Sequence, residues 1–222
     1  RYDIAIIGGG PTGASLALGL AQLELDVSVI DARDASAKRL PDGRNFAIVT
    51  GSWRLLRSLG VTETLLSDSQ PLLGLEAIDG GTHVLGQPAV LFTPEDLDSA
   101  DPDEPLGHMV RAEPLQPYDG SARLLFMPEG PVATLPLHGD RANLAWYMER
   151  GAAETLAALP VEEAEAELNA RFAAFAGLMK IEGKAGSYPL ILQLATELTG
   201  PRTALIGDAA RRVNPLAGQG RN

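Results

Sequence analysis

From Ile4 to Leu23 the chain runs twenty residues without a charge, but the run is broken in its middle by Gly8, Gly9, Gly10, Pro11 and Gly13. Glycine and proline placed there disfavour one continuous helix, which argues against a membrane span or a cleaved leader. The run instead divides at the glycines. Tyr2 to Ile7 predicts a short buried strand, and Ala14 to Leu25 carries Leu16, Leu20 and Leu23 at helical spacing. Val27, Val29 and Ile30 then predict a second strand that ends at Asp31. Strand, helix and strand in this order imply a parallel sheet with crossover helices.

Further along, Trp53, Leu55, Leu56 and Leu59 predict a helix closed by Gly60. Leu75 to Ile78 and Thr82 to Leu85, joined through Asp79, Gly80 and Gly81, read as a hairpin. Pro94 to Pro105 holds six acidic residues and no basic one, with three prolines, and reads as an exposed loop; its spacing does not match a calcium-binding EF-hand. Arg123 to Met127, Val132 to Leu137 and Ala142 to Met148 predict an antiparallel meander. Val161 to Met179 predicts an acidic amphipathic helix whose core stripe is Ala164, Leu168, Phe172, Phe175 and Met179. Thr203 to Ile206 predicts a short buried strand running into a second glycine turn at Gly207.

Composition narrows the chemistry. The 222 residues contain no Cys, which excludes disulfides, thiolate metal sites and a cysteine nucleophile, and suits a reducing compartment. The three His are too scattered to form a metal motif, so no metal is expected. A formal net charge of −11 without basic clusters argues against nucleic acid as a partner.

The glycine turn carries the strongest signal. In Gly8-x-Gly10-x-x-Gly13, Gly8 permits a tight turn, Gly10 lets the backbone approach a diphosphate, and Gly13 allows close packing of helix on strand. The helix N-terminus then presents free N–H groups and the positive end of its dipole. Asp31, eighteen positions beyond Gly13, can accept hydrogen bonds from both hydroxyls of an adenosine ribose, and its charge would repel a 2′-phosphate. The expected ligand contains ADP and lacks that phosphate; the turn alone does not separate FAD from NAD.

The C-terminal block does. Gly207-Asp208-Ala209-Ala210, followed by Pro215-Leu216-Ala217-Gly218-Gln219-Gly220, resembles the second FAD fingerprint of the class A flavoprotein monooxygenases, the aromatic-ring hydroxylases. Within them the chain resembles the ubiquinone-biosynthesis type, through Asp42-Gly43-Arg44-Asn45-Phe46-Ala47, Leu106 to Val110, Phe126 to Pro131 with Leu135-Pro136-Leu137, and Tyr188-Pro189-Leu190. The resemblance implies FAD held by Gly8, Gly10, Pro11, Thr12, Gly13, Asp31, Arg44, Arg111, Asp208, Pro215, Gly218, Gln219 and Gly220. By it, Asp208 meets the ribityl chain, Arg44 lies against the cofactor, and Pro215 with Gly218 to Gly220 approaches the flavin ring. The chain departs from the family pattern at Arg211, where a His is common, and in lacking an Asp-Gly pair followed by Ser and Arg in its middle.

What the resemblance implies as a whole is an α/β fold, with a Rossmann-like FAD-binding domain built on a parallel sheet (residues 1–115 and 200–222) and an antiparallel-sheet substrate domain (120–199). The implied activity is hydroxylation of an aromatic ring, a polyprenylated phenol on the way to ubiquinone, using O2 and transient NAD(P)H through a flavin C4a-hydroperoxide. The lipophilic substrate implies a cytoplasmic protein that visits the inner membrane or a biosynthetic complex. No general base is named and the oligomeric state is left open. A halogenase, a prenyl reductase or a non-catalytic FAD-binding scaffold are the rival readings. The first residue is Arg1 and the family's middle motif is missing, so the chain reads as segments of a longer enzyme, with a join expected near Leu115 to Gly120.

Overall fold

A computed structural model describes residues 1–34, 46–80, 90–110, 120–137, 141–183 and 185–213. The chain divides into two compact units; among the described residues the first holds 1–69, 110 and 191–213, and the second holds 70–109 and 120–190. The join expected near Leu115 to Gly120 falls almost wholly outside the described residues, as do Thr82 to Leu85.

The first unit opens with β1 (Ile4–Ile7), α1 (Pro11–Gln22) and β2 (Val27–Ile30), the two strands pairing in parallel from Ile4 opposite Val27 to Ile7 opposite Ile30. The helix begins at Pro11, earlier than its leucine spacing predicts, because proline at the first helical position loses no hydrogen bond. It also stops before Leu25: Glu24 takes a positive φ of 61° and turns the chain into β2. Then follow β3 (Phe46–Val49), α2 (Thr50–Ser58) and α3 (Thr62–Leu66). Gly60, with φ of 76°, closes α2 as expected, its N–H donating to the carbonyl of Arg57. Gly19 of α1 sits against Leu59, whose carbonyl accepts from the Gln22 side chain at 3.4 Å.

The second unit contains β4 (Ser69–Leu72) from its second residue, β5 (Gly74–Asp79), β6 (Val90–Phe92), β7 (Gly107–Val110) except for its last residue, β8 (Ser121–Phe126), β9 (Val132–Leu137), β10 (Arg141–Trp146), α4 (Arg150–Ala158) and α5 (Val161–Ala176). Five strands form one sheet in the order β10-β9-β8-β5-β6. The meander β8-β9-β10 is antiparallel, but β5 lies parallel to β8, with Leu75 opposite Ala122, so the sheet is mixed. That pairing draws residues 70–109 into the second unit, where the sequence places them in the first. A parallel partner requires a long connection, and more than forty residues separate β5 from β8. The acidic stretch from Pro94 is not all exposed: Glu104 is buried and accepts from the Ser99 hydroxyl at 2.5 Å.

One face of this sheet is covered by α5. Ile78, Leu125, Val132 and Phe172 are buried together, with Leu144, Trp146, Leu168, Phe175 and Met179 packed around them. Trp146 meets Phe172 edge-on at 4.9 Å. The helix stops at Ala176, short of Met179, because Gly177 takes φ of 77°. Met179 still joins the stripe: the Asn169 amide donates to its carbonyl and accepts from its N–H, both at 2.8 Å, standing in for a backbone partner.

The chain returns to the first unit through β11 (Gln193–Leu194), β12 (Thr199–Gly200), β13 (Thr203–Ala204) and β14 (Arg211–Arg212), paired as β11 with β14 and β12 with β13. The buried strand expected over Thr203 to Ile206 is thus two residues of an exposed hairpin. Its tight turn through Pro201 and Arg202, the latter at φ of 62°, spends the pairing locally. Among the described residues, no helix is long and apolar enough to cross a membrane.

Candidate functional site

The site grows from the parallel pairing of β1 and β2, which sets the residues following each strand side by side at the carboxyl ends of the strands. The Gly8 N–H donates to the Ile30 carbonyl at 2.8 Å, and the Gly9 N–H donates to Asp31 Oδ2 at 2.7 Å. Gly8 has φ of 110°, a conformation open to glycine alone in practice. Gly13 is required by contact: a Cβ there would stand 2.0 Å from the Gly8 carbonyl oxygen. At Gly10 the space a Cβ would enter is open. Gly10 is also the N-cap of α1, with no side-chain cap and no acidic residue in the first turn. The N–H groups of that turn have no carbonyl of their own helix to reach.

Asp31 holds four donors. Oδ2 accepts from the Gly9 N–H and from Arg33 Nη2 at 3.2 Å; Oδ1 accepts from the Arg33 N–H at 2.9 Å and from Arg33 Nε at 3.1 Å. The Arg33 guanidinium first, then the two backbone N–H groups, hold the Asp31 carboxyl well below the usual carboxylate range, and the pair raises the Arg33 guanidinium in turn. Asp31 is therefore an acceptor of hydrogen bonds throughout the physiological range. An open glycine cradle at a helix N-terminus beside an ionised carboxylate fits the diphosphate and ribose of an ADP-containing group.

The second glycine turn reaches the same place from the other end of the chain. Gly207, at φ of 58°, sits so close to Thr12 that a Cβ would lie 3.1 Å from its Oγ1 and Cγ2. Asp208 follows it, exposed, in the short 3-10 turn Gly207–Ala209. The structure thus brings Gly8, Gly10, Pro11, Thr12, Gly13, Asp31 and Gly207 with Asp208 into one neighbourhood. Arg44, Arg111, Pro215, Gly218, Gln219 and Gly220 lie outside the described residues.

Two site residues escape the sequence reading. Gly9 lies outside the three fingerprint glycines, yet a Cβ there would meet Asp31 Oδ2 at 3.0 Å, so its small size permits the carboxylate to reach the backbone. Arg33 carries only a spacing signal, two residues past Asp31. In the second unit, His108 on β7 is buried, which pushes its imidazole down to about 4 against the opposing pull of the Glu104 carboxylate. Among the described residues there is no group of three or more His, Asp or Glu that could hold a metal.

Comparison with known proteins bears on the same elements. A family model described as FAD dependent oxidoreductase matches residues 3–170. The ubiquinone hydroxylase UbiL of Rhodospirillum rubrum is 31% identical over 295 aligned positions, covering 99% of this chain and 69% of that protein. The alignment is longer than the 222 residues here, so it includes segments of the relative without a counterpart in this chain. The 3-demethoxyubiquinol 3-hydroxylase of Escherichia coli is 29% identical, covering 99% of this chain and 76% of that protein. Among solved structures, pqsL, described as a probable FAD-dependent monooxygenase from Pseudomonas aeruginosa, has a TM-score of 0.70 at 16% identity, covering 99% of this chain and 81% of that one. That likeness concerns the fold.

Proposed function

Because this chain belongs to the FAD dependent oxidoreductase family, we propose that it is the hydroxylase of an aromatic ring, its substrate a lipophilic prenylated phenol on the route to ubiquinone, with NAD(P)H as electron donor and O2 as oxygen source. The observation that carries the reading is the meeting of the glycine turn with Asp31 at the ends of β1 and β2. The relatives named ubiquinone hydroxylase and 3-demethoxyubiquinol 3-hydroxylase, matched over almost the whole chain, support the substrate class.

In this reading the backbone of Gly8, Gly10, Pro11, Thr12 and Gly13 receives the cofactor's diphosphate, and Asp31 accepts its ribose hydroxyls. Thr12, against Gly207, ties the first turn to the second, so that Asp208 comes to the ribityl chain. Arg44, Arg111, Pro215, Gly218, Gln219 and Gly220 complete the set. FAD, when bound, supplies the redox chemistry and the activation of oxygen. The protein's part is to orient the cofactor, hold its charge and exclude water, and no side chain is assigned as a general base. A lipophilic substrate brings a cytoplasmic protein of this kind to the surface of the inner membrane without a spanning helix.

The test is reconstitution of the full chain with FAD. Anaerobic NADPH or NADH should bleach the flavin, a prenylated phenol should speed the bleaching, and in air the phenol should gain one oxygen atom by mass spectrometry. Flavin that neither nicotinamide reduces would overturn the enzymatic reading, and failure to take up FAD would overturn the site.

A further inference from the structure

The contacts of Asp31 exceed what a ribose-binding carboxylate can keep. A carboxylate offers about four lone-pair sites. All four are taken: the N–H groups of Gly9 and Arg33 occupy one on each oxygen, and the Arg33 side chain occupies the other on each, through Nε at 3.1 Å to Oδ1 and Nη2 at 3.2 Å to Oδ2. The two backbone donors are fixed by the turn and by the chain leaving β2. The guanidinium is not fixed: it is 64% exposed at the end of a flexible side chain, and its recorded side-chain partner among the described residues is Asp31 itself.

A ribose with its 2′ and 3′ hydroxyls needs one acceptor site on each oxygen of a carboxylate that binds both. Those are the two sites the guanidinium covers. We propose that Arg33 is a displaceable placeholder for the ribose diol. It caps the Asp31 carboxylate in the orientation that the ribose needs, and binding of the adenosine half of the cofactor would exchange Nε and Nη2 for two hydroxyl donors. The contact preorganises Asp31 and at the same time competes with the ligand. This inference rests on Asp31 being the ribose acceptor, and Arg33 is assigned a positioning role only.

Three consequences separate this from a merely structural ion pair. Removing the guanidinium should strengthen binding of a ligand that carries the adenosine ribose. It should leave untouched a flavin that ends at the phosphate, such as FMN, since no diol reaches Asp31. It should lose its effect when Asp31 is already unable to pair. An exposed ion pair is a modest competitor, so the gain should be about two- to fivefold in affinity.

The experiment is titration of FAD and of FMN into the cofactor-free full chain, followed by quenching of flavin fluorescence, for the parent, Arg33→Met, Arg33→Lys, Asp31→Asn and the double variant. Arg33→Met should bind FAD about two- to fivefold more tightly, Arg33→Lys should fall between it and the parent, and FMN should bind all Arg33 variants alike. In the Asp31→Asn background Arg33→Met should change nothing. Unchanged or weaker FAD binding by Arg33→Met, with Asp31→Asn still weakening FAD, would overturn the placeholder while leaving the site intact. Equal FAD affinity in Asp31→Asn and parent would instead overturn the ribose assignment on which it rests.

Discussion

The two units hold their order by different means. In the second, side chains do it: Phe172 and Val132 are fully buried against Ile78 and Leu125, and Trp146 closes on Phe172 edge-on. At the site of the first, the backbone does it. Gly8 and Gly9 are tied by their N–H groups to Ile30 and Asp31, while β1 buries Ile6 and leaves Ile7 88% exposed. A packed side chain can be replaced by another of similar volume at small cost. A backbone N–H aimed at a carboxylate has no such substitute, and neither has the missing Cβ that makes room for it. The first unit should therefore be sensitive at its glycines and Asp31, and the second at its large apolar residues.

Each unit contains one tryptophan, Trp53 in the first and Trp146 in the second, so fluorescence can follow them separately. The largest expected effect is from Phe172→Ala, which empties the centre of the second core and should cost about 3–5 kcal/mol. Urea unfolding read by Trp146 in a Trp53→Phe background measures it, and Phe172→Leu should cost clearly less. A small loss for the alanine variant would mean that side-chain packing does not dominate there.

A matched pair of glycines sharpens the contrast. A Cβ on Gly13 would stand 2.0 Å from the Gly8 carbonyl oxygen, and one on Gly130 would stand 2.0 Å from that of Tyr147. The contact is the same, at about 1–3 kcal/mol for an added methyl group in a filled space, and at Gly130 a φ of 127° adds backbone strain that Gly13 does not carry. Gly130→Ala should appear as a lower urea midpoint of the Trp146 transition. Gly13→Ala should appear as FAD affinity weakened by at least about tenfold, or about 1.4 kcal/mol. A Gly130→Ala protein that lost flavin with an unchanged Trp146 transition would break the comparison. Next in size, Asp31→Ala removes the acceptor for the ribose hydroxyls and should cost about 1–3 kcal/mol in FAD binding, read by titration of the cofactor-free chain.

What the sequence makes legible follows the same division. The strand, glycine turn, helix and second strand from Ile4 to Asp31 are local, and the stripe on α5 is a single period, so both could be read directly. Phe172 and Ala164, the buried positions of α5, belong to that stripe. The parallel partnership of β5 with β8 could not be read, because it depends on which strands meet across more than forty residues. The hairpin of β12 and β13 was hidden for another reason: Thr203 to Ile206 has the composition of a buried strand, and a positive φ at Arg202, a residue that rarely adopts one, turns it back on itself. At the site, the glycines and Asp31 announce themselves by residue type and spacing. Arg33 does not, since the geometry that makes it a partner of Asp31 lies in a flexible side chain rather than in the periodicity of the chain.

The two units should also part company in acid, by an effect smaller than those above. His108, in the second unit, is pushed down to about 4 by burial, with the Glu104 carboxylate opposing in part. In the unfolded chain its imidazole titrates near the ordinary value of 6.5. Between those values unfolding takes up a proton that the folded state refuses, so stability is complete above about pH 6.5 and falls as the pH is lowered towards 4. The limiting slope is about 1.4 kcal/mol per pH unit. Asp31, in the first unit, shifts the other way: its carboxyl is held low by Arg33 and by backbone N–H groups, so what it contributes is present above the ordinary carboxylate value of 3.8 and is lost only below it. Between pH 6.5 and 4.5 the Trp146 transition should therefore weaken through His108 while Asp31 contributes no pH dependence to the Trp53 transition. Urea midpoints at pH 7, 6 and 5 test this, and His108→Gln should flatten the Trp146 series. A series just as steep in the glutamine variant would assign the acid sensitivity to a group other than His108.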